Sequence, residues 1–329
     1  MFKRILVPLD GSDRAEQALP LAAHLARVAG GTIVLLQVAD TLNRVGAYSG
    51  GATVFLQDLV EKDLLNATAY LSRIATSGEL KGIETNIAVF SGLPATHILD
   101  VAYEQDIDLI VMCSHGYTGF KRWALGSVAQ KVVRQSTVPI LLVREQNTQL
   151  REKLAHSMRV QVALDGSLLA ESMLQPAIDL SAALSAPLPG ALHLVRVLPF
   201  SSDFDYGQDD AVAKARRQDV QEAQIYLREL QKRLLEENPD FYIMTSLAMS
   251  MDIAQTLIDI AETGKGEGLS EITGCSDIIA LATHGRSGPA RWVLGSVTER
   301  ILGATSLPLL IVRPQQANES GGQQETKVS

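Results

Sequence analysis

A sequence that repeats itself folds as two related units, and this chain repeats across almost its whole length. Val7-Pro8-Leu9-Asp10-Gly11-Ser12 recurs as Val162-Ala163-Leu164-Asp165-Gly166-Ser167, 155 residues later. His115-Gly116 recurs as His284-Gly285 at an offset of 169. That offset then holds without a gap: Trp123 matches Trp292, Gly126-Ser127-Val128 matches Gly295-Ser296-Val297, Pro139 matches Pro308 and Arg144 matches Arg313. The second copy therefore carries a net insertion, for which the glycine-rich Gly264-Lys265-Gly266-Glu267-Gly268-Leu269 is a candidate. An internal repeat sets the organisation before any finer reading. It divides the chain into units at 1–145 and 158–314, a polar linker at 146–157, and a polar tail at 315–329 expected to be disordered.

Within each copy, short apolar runs alternate with longer amphipathic stretches. This is the pattern of a parallel sheet with helices on both faces. Strands are expected near 3–9, 32–38, 84–90, 107–113 and 139–143, with helices near 13–29, 52–77, 94–105 and 126–136. The second copy predicts strands near 159–164, 191–197, 241–248, 277–282 and 308–312, and helices near 169–185, 208–237, 250–263 and 295–304. Ser12 stands where a cap is wanted, and Gly30-Gly31 where the first helix must stop. The expected class is α/β: two Rossmann-like, doubly wound domains, each with a five-stranded parallel sheet. In such folds the ligand crevice opens at the carboxyl ends of the strands.

Composition narrows the function. The net charge is −8 and no dense Lys/Arg run occurs, which argues against nucleic acid as the main partner. No run of about 18 apolar residues is present, so no transmembrane span is expected. The N-terminal segment lacks a signal-peptide pattern and reads as the first strand. Two cysteines, Cys113 and Cys275, make neither a disulfide framework nor a metal-ligand spacing. A reducing, cytoplasmic setting and no metal centre are the expectation.

The carboxyl ends carry the informative residues. Strand one ends at Asp10 or Asp165, and strand two at Val38 or Val197. Strand four ends in Met112-Cys113-Ser114-His115-Gly116, or Leu281-Ala282-Thr283-His284-Gly285. Gly126-Ser127 or Gly295-Ser296 then opens the last helix. A glycine ahead of a helix lets a ligand approach the unpaired amides and positive dipole end, which suit an anion. Ser127 can cap that helix or donate to a phosphate oxygen. Asp10 can accept from a ribose hydroxyl or an adenine amine, and Val38 and Met112 offer apolar walls to a base. Taken singly, each feature has a plainer structural explanation: a turn, a cap, a histidine that only hydrogen-bonds, or a tryptophan that packs a loop. Their recurrence together at strand ends points to a mononucleotide site.

At these residues the chain resembles the universal stress protein family in its tandem form, over nearly all of 1–313. That resemblance implies an adenine nucleotide alpha hydrolase-like fold. The family's ATP-binding members carry Gly-x2-Gly-x9-Gly-Ser/Thr after strand four. Here the register gives Cys113-x2-Gly116-x9-Gly126-Ser127 and Ala282-x2-Gly285-x9-Gly295-Ser296, with the first glycine replaced in both copies. The closing runs Val138-Pro139-Ile140-Leu141-Leu142-Val143-Arg144 and Leu307-Pro308-Leu309-Leu310-Ile311-Val312-Arg313 also match. The resemblance implies adenine contacts at Pro8, Asp10 and Val38, and at Ala163, Asp165 and Val197. It implies phosphate contacts at Gly116, Gly126, Ser127 and Val128, and at Gly285, Gly295, Ser296 and Val297. It further implies that the last strands, 139–143 and 308–312, pair within one chain; a further homodimer is left open.

These features give ATP or a related nucleotide, with or without Mg²⁺, as the expected ligand. A Walker A loop needs a lysine that neither copy has, and no carboxylate stands in the phosphate loop to hold Mg²⁺ or activate water. A non-catalytic regulator is therefore expected, against the alternatives of a non-binding scaffold or a slow ATPase. The copies differ after strand two: Val45-Gly46-Ala47-Tyr48-Ser49-Gly50-Gly51-Ala52 stands against the acidic Ser201-Ser202-Asp203-Phe204-Asp205-Tyr206. Carboxylates at the site mouth repel phosphate, so tighter binding is expected in the first copy.

Overall fold

The computed structural model describes residues 1–39, 53–114, 125–144, 156–200, 210–266, 274–283 and 294–313. The linker and tail at 146–155 and 315–329 lie outside these residues. The first half contains β1 (Arg4–Leu9), α1 (Asp13–Glu16), α2 (Leu19–Ala29), β2 (Thr32–Ala39), α3 (Thr53–Ala75), β3 (Glu84–Ser91), α4 (Pro94–Glu104), β4 (Leu109–Cys113), α5 (Ser127–Gln135) and β5 (Ile140–Val143). The second half repeats the order: β6 (Arg159–Leu164), α6 (Leu168–Glu171), α7 (Leu174–Ser185), β7 (Ala191–Pro199), α8 (Asp210–Glu237), β8 (Tyr242–Ser250), α9 (Ile253–Thr263), β9 (Ile278–Ala282), α10 (Ser296–Ala304) and β10 (Leu309–Val312).

One expectation fails in the same way twice. The helices expected at 13–29 and 169–185 are each broken into a short turn and a longer helix. Pro20 and Pro176 supply the reason. Proline has no N–H to give to the carbonyl four residues earlier, so the first turn cannot run straight through. Both prolines instead sit in the opening turn of the second piece, where no amide is needed. Gly30 then closes α2 in the left-handed conformation, with φ of 60°.

All strands lie in one ten-stranded sheet of order β3-β2-β1-β4-β5-β10-β9-β6-β7-β8. Each half contributes five strands that are parallel among themselves. The halves meet where β5 and β10 pair antiparallel, with Ile140 opposite Ile311, Leu141 opposite Leu310 and Leu142 opposite Leu309. Every residue of these two strands is buried. Alternate residues feed opposite faces, so Leu141 and Leu310 join the core on one side while Leu142 and Leu309 join that on the other. Both cores therefore run across the junction.

Two arginines latch it. Arg144 donates through Nη2 to the Leu302 carbonyl in the last turn of α10. Arg313 donates through Nη1 to the Arg134 and Gln135 carbonyls at the end of α5. Each cation thus meets the negative end of the other half's helix dipole. On the opposite face, His24 Nε2 lies 3.1 Å from the Ala183 carbonyl and the Met1 amino group 2.7 Å from Asp179. Removing Leu310 side-chain volume by Leu310→Ala is expected to cost about 2–5 kcal/mol. Denaturant unfolding of the whole chain measures it.

The cores differ in one layer. Leu6 opposite Val34 in the first half corresponds to Gln161 opposite His193 in the second. Both polar residues are fully buried. Gln161 donates to the Leu257 carbonyl at 2.8 Å, and His193 Nε2 lies 2.7 Å from Ser246 Oγ. Burial, helped by the Arg159 charge, pushes the His193 pKa down from 6.5 to about 4. The unfolded imidazole therefore takes up a proton before the folded one does. Stability from this group is full above about pH 6.5 and is lost as pH falls towards 4, by roughly 2 kcal/mol between pH 7 and 5. The double variant His193→Val, Ser246→Ala is expected to lose that much less over the same interval, as read from denaturant midpoints at the two pH values.

Candidate functional site

At the carboxyl edge of the first half, β1 and β4 part company. They pair only at Ile5–Leu109 and Leu6–Ile110. Pro8 has no N–H to continue a ladder, and the separation opens a crevice where the strand order reverses. A cavity of about 710 Å³ fills it, within the range of roughly 300–1,000 Å³ usual for small-molecule sites.

The floor of the cavity is the β1 turn. Asp10 Oδ1 accepts from the Ser12 amide at 3.0 Å and from its hydroxyl at 2.6 Å. Ser12 Oγ in turn accepts from the Ala15 amide at 3.2 Å, capping α1. Gly11 between them has φ of 83°, a conformation that side chains resist. The turn thereby holds the Asp10 carboxylate at the cavity's edge. The second half repeats it with Asp165, Gly166 and Ser167, at 2.9, 2.6 and 3.2 Å and φ of 84°.

The opposite wall is the start of α5. Gly126 is the cap residue, extended at φ −62° and ψ 151°, and its amide donates to the Ser114 carbonyl at 2.9 Å. Gly126 has no side chain with which to cap the helix, and Ser127 is the first helical residue. The leading amides of an α-helix have no intrahelical acceptor, and Ser127 and Val128 present theirs on the cavity wall. Gly295 and Ser296 repeat this geometry in α10, with Gly295 donating to the Thr283 carbonyl at 2.9 Å.

Apolar side chains complete the enclosure: Leu36, Val38, Ile98 and Met112. The structure thus brings together Pro8, Asp10, Val38, Met112, Cys113, Gly126, Ser127 and Val128 around one cavity. In the second half, Ala163, Asp165, Val197, Leu281, Ala282, Gly295, Ser296 and Val297 fall at the same strand ends and helix start. His115, Gly116, His284, Gly285, both tryptophans, and the loops at 45–52 and 201–206 lie outside the described residues. Cys113 stands where a glycine was expected, and its side chain is accounted for. The thiol donates to the Arg14 carbonyl at 2.8 Å and packs towards the α1 face.

Sequence reasoning missed one wall altogether. Asp63, Asn66, Ala67 and Tyr70 of α3 line the cavity at helical spacing, and so does Gln37 on β2. Tyr70 donates to Glu16 at 3.0 Å, while Arg73 covers its ring at 5.4 Å. Burial first, then the Glu16 hydrogen bond and charge, push the phenol well above its ordinary pKa, so it stays protonated. Gln37 Oε1 is buried and has no hydrogen-bond partner, which is costly to leave unmet.

The universal stress protein family model matches residues 1–144 and 275–313. The chain belongs to the universal stress protein family. Among relatives, the universal stress protein YxiE of Bacillus subtilis is 32% identical over 148 residues, covering 44% of this chain and 100% of its own. A universal stress protein of Methanocaldococcus jannaschii is 30% identical over 145 residues, covering 44% of this chain and 84% of its own. Each is similar to about half of the chain. Across both halves, the fold resembles a universal stress protein from Archaeoglobus fulgidus, with a TM-score of 0.64 at 19% identity, covering 95% of this chain and 98% of that one.

Ser12 joins the α1 cap to the Asp10 turn. Ser12→Ala is expected to lower stability by about 0.5–2 kcal/mol. The loss should appear as a lower denaturant midpoint with an unchanged slope.

Proposed function

We propose that this universal stress protein binds ATP, or a closely related adenine nucleotide, in the crevice of its first half and acts as a nucleotide-responsive regulator. One observation carries the reading: the cavity joins a strand-end carboxylate and an apolar slot to the amide-bearing start of a helix. The donor set suits such a ligand in three ways. The Ser127 and Val128 amides, with the Ser127 hydroxyl, face the side where phosphates would lie. Val38, Met112, Leu36 and Ile98 supply flat apolar contact for a base. Gln37 brings a side-chain amide to the lining of the same cavity. Asp10 is held by Ser12 at the edge between these regions.

Regulation rather than turnover suits the groups found among the described residues. Asp10 has one oxygen committed to the Ser12 amide and hydroxyl. Asp63 approaches from α3, on the cavity's helical wall. The neutral Tyr70 phenol is committed to Glu16. None of these arrangements supplies a base poised on a water at the α5 start, which rapid phosphoryl transfer requires. The nucleotide would instead act by being held. α5 leads from the proposed phosphate end to the carbonyls that Arg313 of the other half grips. Occupancy of the crevice would therefore bear on the junction.

Isothermal titration with ATP and Mg²⁺ tests the reading. Binding is expected, and Gly126→Asp, which sets a carboxylate beside the phosphate end, should weaken it at least tenfold. No heat and no thermal shift at millimolar nucleotide would contradict the proposal.

A further inference from the structure

The two halves share a turn and a helix start but differ at one position between that turn and the helical wall of the crevice. On β2, Gln37 stands opposite Leu9, and on β7 the same register place, opposite Leu164, is Arg196. Gln37 is short and lies at the side of an open cavity: a β-carbon on Gly11 would sit 3.6 Å from its Nε2. Arg196 is long enough to cross the corresponding space. A β-carbon on Gly166 would sit 2.9, 3.0 and 3.1 Å from Nη1, Cζ and Nη2, so the whole guanidinium lies flat on the turn. Its other side faces the Tyr226 ring, with Cζ 5.3 Å from the centroid. Tyr226 holds the place on α8 that Tyr70 holds on α3, and Arg196 is only 8% exposed. The cation is therefore sandwiched between the Asp165 turn and an aromatic ring, an arrangement favourable in its own right.

Two further differences narrow the same end. Ala163 replaces Pro8, and the ladder between β6 and β9 runs on to Val162–Ala280, one pair further than between β1 and β4. Thr298 replaces Ala129 and its hydroxyl donates to the Ala282 carbonyl at 3.0 Å, committing a backbone oxygen at the strand-four end.

We infer that Arg196 is a built-in occupant of the α8 side of the second half's crevice, so that the chain takes up one nucleotide, in the first half. The second half keeps the turn and helix start as structure, with the space between the turn and α8 filled by its own side chain. This inference rests on the nucleotide reading of the first half and sharpens it. It also makes the exchange of Gln37 for Arg196 the difference on which the one-site stoichiometry turns.

Equilibrium dialysis of the full chain with radiolabelled ATP and Mg²⁺ tests it through stoichiometry. Wild type is expected to bind one ATP per chain, and Gly126→Asp to abolish it. Arg196→Gln, which installs the first half's residue, is expected to raise the stoichiometry to two. Combined with Gly126→Asp, it should restore one. Arg196→Ala serves as a second opening variant, and retention of the first-half site reports that either variant is folded. Two ATP per wild-type chain would overturn the inference while leaving the nucleotide reading intact, and one ATP surviving Gly126→Asp would overturn both. A folded Arg196→Gln and Arg196→Ala pair that both remain at one would also overturn the inference. No binding by wild type would instead overturn the nucleotide reading on which it rests.

Discussion

The structure depends on the antiparallel pairing of β5 with β10. Both strands are buried along their whole length, and such a strand left at a sheet edge would expose apolar surface and a row of unmet backbone groups. Each half supplies the other's missing neighbour. The duplication therefore makes a single sheet with two continuous cores, and the arginines that follow each strand reach across to the end of the other half's helix. Because the pairing is antiparallel, the parallel sets run in opposite directions, and their carboxyl edges point to opposite ends of the molecule.

From that frame the first-half site follows by local causes. Pro8 stops the β1–β4 ladder after Leu6 and opens the crevice. Gly11 turns the chain so that Ser12 can hold Asp10 and cap α1 together. Gly126 brings its helix up to the crevice with its leading amides exposed to it. The cavity is the space these turns leave between two helices and three strand ends. In the second half the same turns persist, and Arg196 lies against the Gly166 turn.

Much of this was legible in the sequence because its causes are local or repeated. Strands bounded by turn residues, helix starts at Ser12 and Gly126, and the stop at Gly30 can each be read within a few residues. The pairing of the closing strands was implied by family resemblance, and the register bears it out. The break in the first helix was missed, although Pro20 marks it, because the apolar pattern continues across it. The α3 wall was illegible for a different reason. Asp63, Asn66, Ala67 and Tyr70 have the spacing of any amphipathic helix face, and only tertiary placement shows that this face borders a cavity as well as the core. The Arg196 exchange is visible when the copies are aligned at strand two, but its meaning needs the position of Tyr226 and the turn.

The central claim is that the first-half crevice holds an adenine nucleotide. Photolabelling the full chain with 8-azido-ATP, followed by peptide mapping, tests it most directly. The account predicts label on peptides bearing Val38 or Tyr70, suppressed by excess ATP, and none around Tyr226. ATP-suppressed label on second-half peptides with the first half unmarked, or no ATP-suppressed label anywhere, would contradict it.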